Sequence, residues 1–262
     1  RSAAQAMRQE QLAKERRRRN LMAGGGVLVV LIVIGILIAV GLKDKHGGAT
    51  AVTASVAQAV TQVPAATFDA VGKGTVEGPA TPVKWPALTE SGKPKILFVG
   101  AEWCPYCAAQ RWVMAVALSR FGTFNQLGEV YSAADDGDLA SLTFHGSTYK
   151  SDYLVFDANE IQDRDHKDLD KLSAADAAIY NKYSQGFPFI DIAGQYQTSA
   201  MYNIETISGM TQQQIADALK NPNSPVAQAI IGSANSLTAT ICKVTGNKPA
   251  NVCDSAGVRA AS

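Results

Sequence analysis

The sequence predicts an α/β domain that follows a single transmembrane helix. Residues 23–42 form an unbroken, uncharged apolar run, and its 20 residues match the length that a helix needs to cross the hydrocarbon layer. Residues 95–99 form a short apolar run between turns, which suits a buried strand. Residues 108–121 then place apolar side chains on one helical face. A strand followed directly by a helix is the building unit of an α/β fold.

A basic tail, residues 1–22, sets the expected orientation of this span. The tail holds seven basic and two acidic residues, and Arg16–Arg19 lie close to the apolar run. Because arginine clusters beside a span stay in the cytoplasm, we expect a single-pass protein of the cell membrane with residues 43–262 outside. A nucleic-acid-binding arm is the competing interpretation of the arginines. Their position just before the span favours the lipid bilayer, and no nucleic acid, as the partner.

The chain after the span divides into a predicted linker and a predicted domain. Residues 43–66 are rich in Ala, Thr, Gly and Val and show no helical periodicity, which indicates a linker. Turn signals between short apolar runs begin at Thr67, so the domain is expected to cover residues 67–262. All four cysteines lie in this domain. An even number of cysteines in an exported domain permits two disulfides.

Further elements are predicted in the middle of the domain. Strand-like pieces occur at residues 142–144 and 153–156, and a helix is predicted at Ala174–Tyr183. A proline cannot donate to a sheet from a central position, so Pro188 should stand at the start of the apolar run that it precedes. The aspartates around His166 suggest calcium binding, but the segment lacks the glycine and terminal glutamate of a calcium loop. A solvated loop is therefore expected there.

The C-terminal part is predicted to be helical. Thr211 begins a capping-box pattern, and Ser224 followed by proline resembles the cap of a second helix that runs toward Cys242. Cys242 and Cys253 are expected to form a structural disulfide that closes a short loop at the end of this helix. A second redox pair that relays electrons is the alternative, although these residues lack a helix-start context.

Cys104 and Cys107 form a C-x-x-C motif between the predicted strand and helix. In disulfide exchange a thiolate attacks, and a second cysteine resolves the mixed disulfide. Free backbone N–H groups at a helix start stabilise a thiolate, so Cys104 is the expected nucleophile and Cys107 the resolving residue. Half of a zinc site is the alternative, but ten residues separate the other two cysteines and the three histidines are scattered. We therefore expect no metal and no cofactor.

The run AEWCPYC, Ala101–Cys107, resembles the active site of the thioredoxin superfamily. The tripeptide Gly-Phe187-Pro188 likewise resembles the cis-proline loop of that family. The resemblance implies a thioredoxin-like fold in which Pro188 lies beside the cysteines and the backbone of Phe187 pairs with a substrate strand. An ordinary trans proline at a strand edge is the alternative. The resemblance also implies substrate contacts by the residues that flank the cysteines, namely Trp103, Pro105 and Tyr106.

Residues 67–253 are also similar to an uncharacterised family of membrane-anchored thioredoxin-like proteins, known only as a domain of unknown function. The similarity is carried by residues 100–123 together with FHGSTY, GFPFIDI and the ICKVTG segment near the end. Two features depart from the superfamily pattern. Phe98 stands where many thioredoxins keep a buried acid that helps to move protons, so proton handling must differ. The 80 residues between Cys107 and Pro188 imply an insertion that shapes the substrate groove.

Two hypotheses follow for the activity. The first is an extracytoplasmic thiol-disulfide oxidoreductase that acts on thiols or disulfides of exported proteins and needs a membrane redox partner. The second is a redox-idle accessory subunit of a larger membrane complex, in which the domain serves as a docking surface. A cysteine pair in an active-site setting favours the enzyme. Oxidant, reductant and isomerase remain open alternatives for the direction of exchange.

Overall fold

The computed structural model of the protein describes residues 46–184 and 186–262. The predicted tail at 1–22 and the predicted span at 23–42 lie outside these residues. Within the described part of the chain, no helix is long and apolar enough to cross a membrane. Residues His46–Ser262 form one compact unit.

This unit has a mixed α/β architecture. Its strands are β1 (Thr50–Ala51), β2 (Thr81–Pro82), β3 (Thr89–Glu90), β4 (Lys93–Gly100), β5 (Gly122–Asn125), β6 (Gly128–Tyr131), β7 (Ala140–Thr143), β8 (Thr148–Ser151), β9 (Val155–Glu160), β10 (Phe189–Ile192) and β11 (Tyr196–Thr198). Its α-helices are α1 (Ala54–Thr61), α2 (Ala65–Val71), α3 (Pro105–Leu118), α4 (Ala174–Tyr183), α5 (Gln212–Ala218), α6 (Pro225–Val244), α7 (Ala250–Cys253) and α8 (Ala256–Ala260). Short 3-10 turns occupy Ala134–Asp136 and Ile204–Ile207.

A six-stranded sheet forms the centre, with β2, β11, β10, β4 and β3 in order and β9 also paired with β4. β4 and β9 run parallel, from Lys95 opposite Val155 to Gly100 opposite Glu160. β10 runs antiparallel to β4, and β11 runs antiparallel to β10. Because parallel neighbours need a crossover connection, the chain passes through α3 between β4 and β9. The carboxyl end of β4 is therefore the point from which α3 departs.

The two faces of β4 bury different side chains, as alternation along a strand requires. Ile96 and Phe98 belong to the main core, which α3 and α6 also build. Leu97 and Val99 point to the other face, where they pack with Tyr180 and other residues of α4. The sheet is thus covered by helices on both faces, which explains why β4 reads as a continuous apolar run.

The segment between α3 and β9 carries additional strands. β6 and β7 form a three-stranded sheet with β1, and β5 pairs with β8. Trp112, on α3, is fully buried and donates its indole N–H to the carbonyl of Ala140 on β7 at 3.0 Å. Much of the extra length between Cys107 and Pro188 therefore lies inside the β4–α3–β9 crossover and packs on the helix that carries the cysteines.

The structure corrects the predicted linker at residues 43–66, as far as these residues are described. Residues 50–51 pair with β6, and α1 buries Val56 and Val60 at 1% and 0% exposure. These two valines lie four residues apart and so share one helical face. The Ala- and Thr-rich composition concealed this short apolar stripe. The folded unit begins near His46 rather than at Thr67.

The apolar stripe at 108–121 does not match the cysteine helix at either end. α3 begins at Pro105, because Cys104 caps it and proline suits the first helical position. It ends at Leu118, and the expected terminator Gly122 instead opens β5. The apolar spacing alone missed the first turn, whereas the C-x-x-C motif placed Cys104 at the helix start, as observed.

The C-terminal helices follow the predicted caps. Thr211 forms a complete capping box at the start of α5, and Ser224 caps α6 through the N–H of Ala227. The disulfide between Cys242 and Cys253 is present, with its two Cα atoms 5.7 Å apart, and it joins the end of α6 to α7. α6 packs along α3, so this closed end supports the helix that carries the other two cysteines.

Candidate active site around the cysteine pair

Cys104 and Cys107 lie at the start of α3, just after the end of the central strand β4. Cys104 is the cap residue of the helix, and its sulfur accepts a hydrogen bond from the backbone N–H of Cys107 at 3.2 Å. The first N–H groups of a helix have no partner within the helix, so a side chain at the cap position satisfies them. Here a sulfur takes the place that an oxygen usually fills.

The two thiols are free, buried and electrostatically unequal. Cys104 is 3% exposed and Cys107 is 0% exposed. The pKa of Cys104 is lowered because the side chain of Cys107 donates a hydrogen bond to it, with further help from the Cys107 N–H and the charge of Arg111, and burial opposes this shift. The pKa of Cys107 is raised well above its ordinary value, first by burial and then by the neighbouring Cys104. The pair therefore favours a thiolate on Cys104 and a thiol on Cys107.

Aromatic side chains and the proline loop cover the pair. Trp103 and Phe187 both pack against the small cluster that contains the two cysteines. The rings of Trp103 and Phe187 meet edge to face with centroids 5.8 Å apart. The peptide bond between Phe187 and Pro188 is cis, so the trans alternative was wrong.

The remaining predicted contact residues differ in exposure. Pro105 is partly buried, whereas Tyr106 is 52% exposed and stands out from the surface. Pro188 lines an open cavity of about 310 Å³ together with residues in and beside strands β2 and β11. Neither Cys104 nor Cys107 lines this cavity. Some of the predicted contact residues thus pack against the buried sulfurs, and the others lie on the adjoining surface.

Residues of the loop after β9 contact the side chain of Trp103. The indole N–H of Trp103 donates to the side-chain oxygen of Gln162 at 3.0 Å. The ring of His166 stacks on Trp103 with centroids 4.8 Å apart. The sequence predicted only a solvated acidic loop here, because nothing local in it indicates that His166 faces a residue 63 positions earlier.

Two fully buried charges lie beneath the cysteines, and neither was predicted as a site residue. Arg111 and Glu160 are both 0% exposed, and Nε and Nη2 of the arginine each lie 2.7 Å from a different carboxylate oxygen. Glu102 is 1% exposed, and its Oε1 has no hydrogen-bond partner among the described residues. Burial raises the pKa of Glu102, while Thr143 and Arg111 oppose that shift. The available signal was an arginine amid the apolar residues of the cysteine helix.

The second cysteine pair is separate from this site. Cys242 and Cys253 pack in the main core, whereas Cys104 and Cys107 form part of a different cluster. A disulfide in the main core fits a structural link rather than a relay to the free pair.

Residues 82–182 match a family model described as Domain of unknown function (DUF929). The matched segment runs from β2 into α4 and so includes the cysteine pair, the inserted strands and the charges beneath the pair. It ends before Phe187 and Pro188. No curated protein and no solved structure matches the chain.

Proposed function

We propose that this protein is a membrane-anchored thiol-disulfide oxidoreductase with a thioredoxin-like fold, acting outside the cytoplasm on exported proteins. The observation that carries the proposal is the Cys104 sulfur, which caps α3 and accepts the N–H of Cys107 at 3.2 Å. Thiols at helix starts have lowered pKa values and react as thiolates. A buried partner one turn away then serves as the resolving group.

Strand order supports the proposed fold. The cysteine strand β4 has a parallel neighbour, β9, reached through α3, and an antiparallel neighbour, β10, which follows the cis proline. This is the arrangement that the resemblance to the thioredoxin superfamily implies. The inserted strands leave it intact, because they lie within the crossover and pair among themselves and with β1.

The proposed exchange balances without a bound cofactor. The Cys104 thiolate attacks one sulfur of a client disulfide, so that a bond forms between Cys104 and the client while the client's own bond breaks. The departing client thiolate takes up a proton. Cys107 then loses its proton and attacks the Cys104 sulfur, which releases the second client thiol and leaves a disulfide between Cys104 and Cys107. The reverse sequence oxidises a client dithiol, and a membrane dithiol or disulfide partner restores the starting state in either direction.

Cysteine variants test this proposal. Cys104→Ser should abolish reductase activity on insulin-type substrates, because the attacking sulfur is absent. Cys107→Ser should accumulate mixed disulfides through Cys104, because the resolving sulfur is absent. Full activity in both variants would end the proposal. The reduction potential of the pair then assigns the direction of electron transfer, since values of about −120 mV belong to strong oxidants and values of about −270 mV to reductants.

A second candidate function rests on the burial of Cys104. Only 3% of this residue is exposed, and Trp103 and Phe187 pack against its cluster, so little of the sulfur is accessible to a client. Tyr106, by contrast, presents a half-exposed ring next to the pair. This combination suits a docking subunit of a membrane complex in which the cysteines stay idle. A Cys104→Ser/Cys107→Ser chain that functions fully in cells, within a stable stoichiometric complex, would favour this role.

A further inference from the structure

The cysteine helix carries a charge at a place where a purely structural helix would have none. Arg111 lies four residues after Cys107, hence on the same helical face. Its side chain is fully buried and is held by four hydrogen bonds, two to Glu160, one to the carbonyl of Ala101 and one to the hydroxyl of Ser141. A guanidinium fixed on all sides cannot leave this position without breaking several of these bonds.

The carbonyl of Ala101 links Arg111 to the reactive cysteine. This oxygen accepts a hydrogen bond from Nη2 of Arg111 at 2.6 Å and also from the backbone N–H of Cys104 at 3.1 Å. Ala101, Cys104 and Cys107 belong to one packed cluster. The guanidinium of Arg111 and the backbone N–H of Cys104 are therefore linked through the same carbonyl oxygen.

Glu160 reaches the arginine through the register of the central sheet. It is the last residue of β9 and lies opposite Gly100 on β4. A side chain built on Gly100 would come within 3.3 Å of the Cys107 sulfur, so this end of the two strands adjoins the resolving thiol. The sheet thus places Glu160, and α3 places Arg111, near the two cysteines.

We propose that the buried Arg111–Glu160 pair sets the reactivity of the two thiols, with Arg111 as a positioning residue that stabilises the thiolate of Cys104 and Glu160 as the counter-charge that limits this effect. The inference rests on the proposed function, since it assigns a role to the same cysteines. The same pair supplies buried charge near the cysteines although Phe98 replaces the buried acid of many thioredoxins. This charge comes from α3 and β9 instead of β4.

Electrostatic and energetic considerations support this role over simple stabilisation. Burying two charges costs solvation that their attraction only partly returns, so a buried ion pair is weak ground for stability. Arg111 favours the charged form of both cysteines, and Glu160 disfavours that of Cys107. Among the neighbouring titratable groups, Glu102 interacts with Arg111, Glu160 and His145, and Tyr180 on α4 interacts with Cys107.

The test follows the pH dependence of alkylation of Cys104 in the full chain, read by mass spectrometry. Arg111→Met/Glu160→Met removes both charges, and such apolar replacements of a buried pair often leave stability unchanged. We expect its Cys104 thiolate fraction near neutral pH to fall about tenfold, which is the effect of losing a nearby opposite charge. Arg111→Lys keeps the cation and should restore most of that fraction.

The opposite change provides the discriminating readout. Glu160→Gln leaves the cation without its counter-charge, so the thiolate fraction of Cys104 should rise. Arg120→Met is the matched control, because this arginine just beyond α3 bonds to Asn235 and Ser255 and not to the cysteine cluster. If the pair were purely structural, Arg111→Lys and Glu160→Gln would change the thiolate fraction of Cys104 in the same direction. That result would overturn the inference.

Two further outcomes separate this inference from the proposed function. Alkylation needs no client, so the predicted opposite shifts in a chain without exchange activity would support the charge pair and contradict the oxidoreductase. Exchange activity with a Cys104 titration that is identical in all variants would contradict the charge pair alone. If the double variant does not fold, as judged by circular dichroism, Arg111→Lys and Glu160→Gln still decide the question.

Discussion

Asp191 should make the stability of this protein depend on pH in a direction opposite to that of most carboxylates. The residue lies on β10, three positions after Pro188, and is 1% exposed. Burial raises its pKa from 3.8 to about 6, and the hydrogen bond from the N–H of Gly194 at 2.6 Å opposes that shift. The strand that carries the cis proline thus contains a carboxyl group that resists ionisation.

The magnitude follows from linkage between proton binding and folding. Because the pKa is raised, the folded chain holds the proton more tightly than the unfolded chain does. The resulting contribution to the free energy of unfolding is fully present below pH 3.8 and is lost as the pH rises through about 6. The difference between a pKa of 3.8 and a pKa of about 6 corresponds to about 3 kcal/mol in the free energy of unfolding. Asp191→Asn keeps an oxygen to accept the Gly194 N–H but does not ionise.

Urea unfolding between pH 4 and 7 measures the effect. We expect the free energy of unfolding of Asp191→Asn, relative to the unmodified chain, to increase by up to about 3 kcal/mol over this range. Asp152→Asn is the control, since the same amide substitution at an exposed position should change stability by less than about 0.5 kcal/mol at either end. Parallel pH profiles for Asp191→Asn and the unmodified chain would show that Asp191 does not hold its proton more tightly in the folded state.

Three other predictions concern the scaffold and its surface. Cys242→Ser/Cys253→Ser should lower the free energy of unfolding by about 3 kcal/mol, as expected for a loop with a sequence separation of 11, without loss of thiol exchange; an unchanged urea midpoint would contradict this. Gly194→Ala should cost about 3 kcal/mol or more, because a Cβ would lie 2.1 Å from the carbonyl oxygen of Pro86 at a φ of +71°, whereas Gly92→Ala, at +76° with open space, should cost about 1 kcal/mol. Equal costs in thermal or urea unfolding would rule out the steric argument. Tyr106→Ser should leave stability within about 0.5 kcal/mol but slow exchange with a protein client more than with a small disulfide, and equal slowing would count against a docking role for this ring.

Elements with local signals were predicted well from the sequence. The helix Ala174–Tyr183 has the predicted bounds, and the caps at Thr211 and Ser224 act as expected. The strand predicted at 95–99 lies within β4, and β10 begins directly after Pro188. Caps, prolines and apolar runs act over a few residues, so the chain itself reveals them.

Contacts between distant residues were not predictable in this way. Arg111 and Glu160 lie 49 residues apart, and they meet because β9, which carries Glu160, pairs with β4, the strand that leads into α3. His166 faces Trp103 because a loop folds back over the helix start, which no spacing in the sequence indicates. α1 was missed since its two buried valines are surrounded by residues typical of a linker.

The relative reactivity of the two free cysteines shows whether Cys104 is the thiolate of the pair. The full chain would be reduced and alkylated over a range of pH, and mass spectrometry would identify the modified cysteine at each step. We expect Cys104 to be modified first, with a pKa below the ordinary thiol value of 9.0, and Cys107 to follow only at higher pH. Modification of Cys107 first, or no reaction of Cys104 below pH 9.0, would contradict this expectation.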